Sequence, residues 1–210
     1  MINFSNLKPN HFPYVSLVFS LVFLFFLVLS EYSQYQSQLM DQYAIKTKEY
    51  WTLIQHQPTE IFRLITAQFL HGNILHWVIN NSVFLLLSFA IERVIGWQKF
   101  LLVLLLSGIV GNVFASYFMQ DQDNLLIGAS GAVSGLIGLW LVMFPDKKIN
   151  FILPIGLYFQ KTSMPIAVVI ILWLIVQIIL QFQPNPSYDI AWISHIMGFT
   201  TGFFLAWFVK

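Results

Sequence analysis

The chain has very little charge and no cysteine. Ten basic and nine acidic side chains are spread over 210 residues, while 58% of the residues are hydrophobic. A soluble domain carries roughly a quarter charged residues, so this chain cannot cover a globule with polar surface and its natural solvent is lipid. The lack of cysteine excludes disulfides and thiol chemistry. The formal net charge of +1 gives no indication of a nucleic-acid partner.

The chain contains several long apolar runs without any charged residue. Runs of about 18 or more apolar residues are long enough to cross a bilayer as helices, and six such runs predict an all-α bundle of six transmembrane helices in a single domain over residues 1–210. The first run resembles a signal peptide in position, but it is long for one and no small-residue cleavage pattern follows. The runs are 13–30, 74–91, 100–119, 125–144, 165–182 and 190–209.

Basic residues are distributed unequally between the two sides of this predicted bundle. Alternation places seven on one side and three on the other, and positive charge marks the cytoplasmic face. We therefore expect both termini in the cytoplasm and a cell membrane, inner or plasma, as the location, with an organellar membrane as the alternative. The seven are Lys8, Arg93, Lys99, Lys147, Lys148, Lys161 and Lys210, and the three are Lys46, Lys48 and Arg63.

The connections between the runs are short except for residues 31–70. This segment mixes polar residues with tyrosine and tryptophan, which favour the membrane interface. We expect a structured outer loop on the bilayer surface, since a flexible linker fits the aromatic content poorly. The apolar segment 150–158 is expected at the inner interface, and 183–189 is a proline-broken outer loop.

Polar side chains at membrane depth are costly and are functional candidates by default. In the second run, His76 and Asn80 are four residues apart and share one helix face, while His71 falls just ahead of the helix. Hydrogen bonding between helices explains such residues equally well.

Glycine marks the fourth and sixth runs. Gly131 and Gly135 form a small-xxx-small pair, for which close helix packing is a sufficient explanation. Packing does not explain Ser130 at the start of the fourth run. In the sixth run, Gly198 and Gly202 follow His195 at a spacing that forms a ridge below the histidine; a packed core histidine is the alternative there.

The polar residues of the three runs make a stronger case together than separately. The two glycine-bearing helices can bring Ser130 and His195 within hydrogen-bond distance near the outer surface, where a histidine can take the proton of a serine nucleophile. His76, Asn80 and the Ser130 amide are suitable donors to an oxyanion. No carboxylate lies inside these three runs, so a nucleophilic unit here is a Ser–His dyad rather than a triad.

In their order along the chain, these residues resemble the rhomboid family of intramembrane serine proteases. The resemblance covers nearly the whole chain. The glutamate and arginine before Gly96 are also familiar from the family, and Phe62-Arg63 resembles a tryptophan-arginine pair of its first loop. The motifs are H-x4-H-x3-N at His71, His76 and Asn80, G-x-S-G at Gly128 to Gly131, and S-H-x-x-G-x3-G at Ser194, His195, Gly198 and Gly202.

The resemblance implies cleavage of a peptide bond in or beside the membrane segment of another protein. Ser130 takes the nucleophile position and His195 that of the general base, with His76, Asn80 and the Ser130 amide as oxyanion donors. It implies no metal and no cofactor. The partners would be single-pass membrane proteins and the lipid bilayer, and the loop 183–189 would cap a cavity open to the outer face. Supporting positions fall on His71, Gly128, Gly131, Gly198 and Gly202.

One departure from the family pattern concerns the base. Ser134 stands where many members carry an aromatic ring that stacks on the base histidine. What positions the His195 ring is therefore open.

Other functions fit the residues less well. A zinc protease requires H-E-x-x-H, which is missing, and every aspartate lies at the edge of a run or in a loop, which disfavours an aspartyl protease. A transporter would carry ionisable residues along a path. The remaining alternative is a catalytically silent relative that binds membrane clients. Such relatives usually lack the serine or the histidine, and Ser130 and His195 are both present.

Overall fold

A computed structural model describes residues 11–31, 35–155, 158–183 and 190–209, with the backbone alone described at 151–155, 158 and 159. Six of its helices lie at the predicted apolar runs. The segment 31–70 adds three short ones. The helices are α1 (Tyr14–Glu31), α2 (Gln36–Tyr43), α3 (Tyr50–His56), α4 (Arg63–Thr66), α5 (Ile74–Ile95), α6 (Trp97–Phe118), α7 (Ser130–Met143), α8 (Ile166–Gln181) and α9 (Trp192–Leu205).

The described helices differ in their capacity to cross a bilayer. Three of them, α1, α5 and α6, are long and apolar enough to span one, whereas α7 and α8 are apolar but shorter. The structure thus contains a mostly helical, membrane-type bundle, and a count of six spanning helices stays a prediction. The predicted cytoplasmic termini and the loop 183–189, except Gln183, lie outside the described residues.

Two small antiparallel sheets depart from the all-α expectation. Strand β1 (Ile45–Lys46) pairs with β2 (Leu125–Leu126). The strands β3 (Lys148–Ile155) and β4 (Tyr158–Pro165) form a hairpin between α7 and α8, where a short apolar segment was expected. The predicted start of the fourth helix at residue 125 was wrong. Leu125 and Leu126 pair as a strand, and Gly128, at φ +114°, cannot continue a helix.

The segment 31–70 is attached to the connection between α6 and α7. The Thr47 hydroxyl donates to the backbone oxygens of Gln122 and Asn124. The Tyr50 ring is buried and its hydroxyl donates to the Glu60 carbonyl. Burial raises the pKa of Tyr50 to about 12, so this hydroxyl remains a neutral donor at physiological pH. These contacts hold the residues before α5 against the start of α7.

The centre of the bundle is α7. It packs most extensively on α9, and also contacts α6 and α5, while α1 packs against α5. Large buried side chains such as Phe84, Phe100 and Leu136 fill the core around it. By contrast, α8 buries only two side chains, Ile170 and Gln177.

A buried carboxylate fixes α1 to the end of α5. Glu92 is fully buried and accepts the backbone N–H of Val15 at 2.9 Å, the backbone N–H of Ser16 at 2.7 Å and the Ser16 hydroxyl at 2.6 Å. The first N–H groups of a helix have no partner within the helix, and a negative group favours that end of the helix dipole. Glu92 therefore caps α1 from a neighbouring helix.

Replacing Glu92 should loosen α1. We expect Glu92→Ala to lower the free energy of unfolding by roughly 2–4 kcal/mol, because three donors lose their acceptor inside the protein, and Ser16→Ala, which removes one bond, by about 1 kcal/mol. Unfolding in mixed detergent micelles measures both. Equal stability of Glu92→Ala and the unmodified chain would contradict this role.

Candidate active site

A cavity of about 650 Å³ opens between α5, α7, α8 and α9. This is within the range of pockets that bind small molecules or peptide segments. Its wall is mostly apolar, with a few polar groups. The predicted catalytic and oxyanion residues line it, namely His76, Asn80, Ser130 and His195, together with the supporting residue Gly128.

Ser130 is the first residue of α7. Its side chain therefore stands beside the free amides of a helix start. The preceding turn depends on Gly128, whose N–H donates to the Ala67 carbonyl at 2.9 Å. A methyl group added at Gly128 would lie 2.9 Å from His76 Nε2 and 3.9 Å from Ser130 Oγ. Gly128 thus makes room for the His76 imidazole beside the Ser130 hydroxyl.

Two predicted polar side chains near the start of α5, His76 and Asn80, line the cavity. Asn73 caps the helix, its side-chain oxygen accepting the backbone N–H of His76 at 2.8 Å. One turn on, Asn80 Nδ2 donates to the His76 carbonyl at 3.0 Å. Because only one of its amide hydrogens is used in this bond, Asn80 retains donor capacity toward the cavity.

The helices α7 and α9 meet backbone to backbone. A methyl group added at Gly198 would lie 2.1 Å from the Gly131 carbonyl oxygen, and one at Gly202 would lie 1.8 Å from the Gly135 carbonyl oxygen. No side chain fits at either point. This contact brings the first turn of α9, with His195, to the first turn of α7, with Ser130.

His195 is held by α8 rather than by α7. Its Nδ1 is 2.7 Å from Gln177 Oε1. The Trp173 ring lies nearly parallel to the imidazole, at 22° with 6.5 Å between centroids, and Trp192 contacts it edge-on at 5.8 Å. Among the hydrogen bonds of the described residues, none joins Ser130 Oγ to His195. Catalytic hydrogen bonds are often long before substrate binds.

His71 and Ser134, which the sequence analysis also singled out, make contacts within the protein fold. His71 does not line the cavity. It is 1% exposed, and its ring packs at 5.2 Å from that of His76 and at 5.6 Å from that of Phe23. Ser134, whose environment the sequence left open, donates its hydroxyl to the Ser130 carbonyl at 2.7 Å. It therefore satisfies a local backbone group and offers no ring to His195.

Comparison with known proteins decides the family. The family model of the rhomboid domain matches residues 58–210. The chain belongs to the rhomboid family. It is thus a membrane-embedded protein and an intramembrane protease of the rhomboid type or a related protein.

Several relatives carry rhomboid names. RHOMBOID-like protein 4 of Arabidopsis thaliana is 33% identical over 146 residues, which are 70% of this chain and 33% of the relative. Rhomboid protease GluP of Bacillus subtilis is 31% identical over 153 residues, 73% and 28% of the two chains. Putative rhomboid protease YdcA of Bacillus subtilis is 42% identical over 84 residues, 40% and 42% of the two chains. This rhomboid chain spans less than half the length of each.

Sequence reasoning missed Gln177 and Trp173. Gln177 carried a usable signal, because it is a polar residue inside the otherwise apolar run 165–182, and polar groups at membrane depth are rarely accidental. Trp173 carried none, since an aromatic residue in an apolar helix is unremarkable in sequence. Only the packing of α8 on α9 reveals its ring beside the rhomboid histidine.

The glycine contact predicts a large effect from one methyl group. Gly202→Ala should lower the free energy of unfolding by about 1–3 kcal/mol, because the added group meets the Gly135 backbone, which cannot move aside without separating the helices. Gly72→Ala is the matched control, since a methyl group there would meet only Ile127 Cδ1 at an ordinary 3.6 Å. Thermal unfolding in detergent measures both variants, and equal midpoints would refute the assignment.

Proposed function

We propose that this rhomboid chain is an intramembrane serine endopeptidase that cleaves single-pass membrane proteins in or beside their membrane-spanning segment. Ser130 is the nucleophile and His195 the general base. His76, Asn80 and the backbone N–H of Ser130 stabilise the oxyanion. The reaction requires no metal and no cofactor, and nucleic acid is not a partner.

The observation that supports this function is the composition of the cavity. A serine hydroxyl at a helix start, an imidazole on a facing helix and two polar side chains of α5 converge on one space. Acyl transfer needs these groups together, namely a nucleophile, a base and donors for the developing negative charge.

The geometry suggests the following steps. Ser130 Oγ attacks the substrate carbonyl carbon while His195 takes the hydroxyl proton. The carbonyl oxygen becomes negative in the tetrahedral intermediate, where the donors and the positive end of the α7 dipole stabilise it. His195 then gives its proton to the departing amine, leaving an ester on Ser130. Water, activated by His195, hydrolyses this ester and restores the serine.

The cavity contains no acid to orient the base. Its lining among the described residues includes two titratable side chains, His76 and His195, and no carboxylate. We therefore propose a Ser130–His195 dyad, in agreement with the lack of carboxylates in the apolar runs that carry these two residues. We place the opening of the cavity toward the outer face, with both chain termini in the cytoplasm, because basic residues are concentrated on the opposite side of the predicted bundle.

A catalytically silent function is the second candidate. Its support is that no hydrogen bond joins Ser130 to His195 among the described residues. The serine hydroxyl is therefore not bonded to the base that would activate it. In this case the cavity would bind a membrane segment of a client protein without cutting it.

Covalent labelling separates the two candidates. A fluorophosphonate probe should label Ser130 in the purified protein, because only a serine activated by a base reacts with it. Ser130→Ala and His195→Ala should lose labelling and lower cleavage of a membrane reporter by about 10³-fold or more. Asn80→Ala should retain part of the activity, roughly one hundredth, since the other donors remain.

The matched control is Ser134→Ala, which removes a hydroxyl one turn further along the same helix and should leave the probe attached at Ser130. Cleavage by purified Ser130→Ala at the rate of the unmodified protein would reject the proposed mechanism. A folded protein that neither reacts nor cleaves would favour the silent client binder.

A further inference from the structure

The helix that contacts the His195 ring, α8, carries a polar side chain within its apolar sequence. Gln177 lies on α8, eighteen residues before His195, and is 5% exposed. The rest of that helix is apolar apart from its final residue, Gln181. A buried amide in an apolar helix is unfavourable unless it is hydrogen-bonded. The partner of Gln177 is His195 Nδ1, at 2.7 Å.

The hydrogen bond has a direction that matters for the chemistry. A neutral imidazole carries one hydrogen, on either Nδ1 or Nε2. The amide oxygen of Gln177 is an acceptor, so the hydrogen must be on Nδ1, and the lone pair is then on Nε2. That nitrogen is the one left to take a proton. The Trp173 ring, nearly parallel to the imidazole, restricts rotation of the ring plane.

We propose that Gln177 is the positioning residue of the base, fixing the tautomer and orientation of His195 from α8, with Trp173 supplying the ring that Ser134 does not supply from α7. This inference rests on the proposed proteolytic function. Gln177 acts on the reaction only through His195, and takes the orienting role that a carboxylate has in a triad without adding a negative charge.

Among the described residues, the hydrogen bond of His195 is the one to Gln177. On the helices packed against α9, neither α7 nor α8 carries a titratable side chain, and α6 carries Lys99 near its start and Tyr117 near its end. From α5, His76 shares the cavity. Gln177 is therefore the hydrogen-bond partner of His195 among the described residues. It lies on α8, which is the least buried of the helices around the cavity.

Two variants of Gln177 that keep a side chain of similar size test the hydrogen bond. Gln177→Leu should lower kcat about 10- to 100-fold with little change in KM, because the imidazole then samples the wrong tautomer. Gln177→Glu should retain at least a tenth of the wild-type kcat, because a carboxylate accepts the same Nδ1–H. Its charge stabilises the imidazolium, so the acid limb of the kcat/KM profile should move to higher pH, whereas in Gln177→Leu it should move to lower pH.

Ile170→Ala is the matched control. Ile170 is the other buried residue of α8, and its truncation to alanine removes more packed side chain than the change of Gln177 to leucine does. It should lower thermal stability while leaving the pH profile and KM near those of the unmodified protein. Equal losses of kcat in Ile170→Ala and Gln177→Leu, with no change in pH profile, would overturn the proposal and assign Gln177 to helix packing.

A second measurement does not depend on cleavage. In ¹⁵N-histidine-labelled protein, His195, assigned by comparison with His195→Asn, should show a protonated Nδ1 and an unprotonated Nε2 at neutral pH. Gln177→Leu should show a mixture. A protonated Nε2 in the unmodified protein would overturn the inference even if the enzyme is active. The expected tautomer in a protein that cuts nothing would leave the positioning intact and reject the proposed function alone.

Discussion

The contact between α7 and α9 is the interaction on which the rest of the structure depends. Inside a bilayer, helices gain little from the hydrophobic effect when they associate, because lipid is as apolar as their side chains. Close packing of backbones provides the attraction instead. The glycines at 131, 135, 198 and 202 reduce the distance between these helices until carbonyl oxygens of one face Cα atoms of the other, which fixes where the first turns of both helices meet.

Three buried polar side chains of the bundle are paired with partners inside the protein. Glu92 accepts three donors at the start of α1, Asn80 donates to the His76 carbonyl, and Gln177 accepts from His195. Each pair satisfies groups that lipid cannot solvate. The same requirement that stabilises the bundle therefore limits the orientations available to the side chains of the cavity.

The sequence predicted the helix positions well and the start of α7 poorly. Apolar runs identify helices because hydropathy over some 18 residues decides what can enter a bilayer, and five of the six runs match observed helices to within a few residues. The run 125–144 was too long, since residues such as Leu126 pair with a distant strand residue, Ile45. The hairpin after α7 was missed for the same reason, because strand pairing depends on a partner and not on local hydropathy.

The candidate site shows the same difference between what a local pattern predicts and what depends on a distant partner. His76, Ser130 and His195 were selected from the sequence alone, because polar residues inside apolar runs are costly and therefore conspicuous. The roles of Gln177 and Trp173 were not, because both depend on the rotation of α8 about its axis and on its distance from α9. The amino-acid sequence thus determined which segments are helical and which polar residues they carry. The tertiary structure decided which of those residues touch, because contacts between helices are set by the packing of whole surfaces rather than by any local pattern.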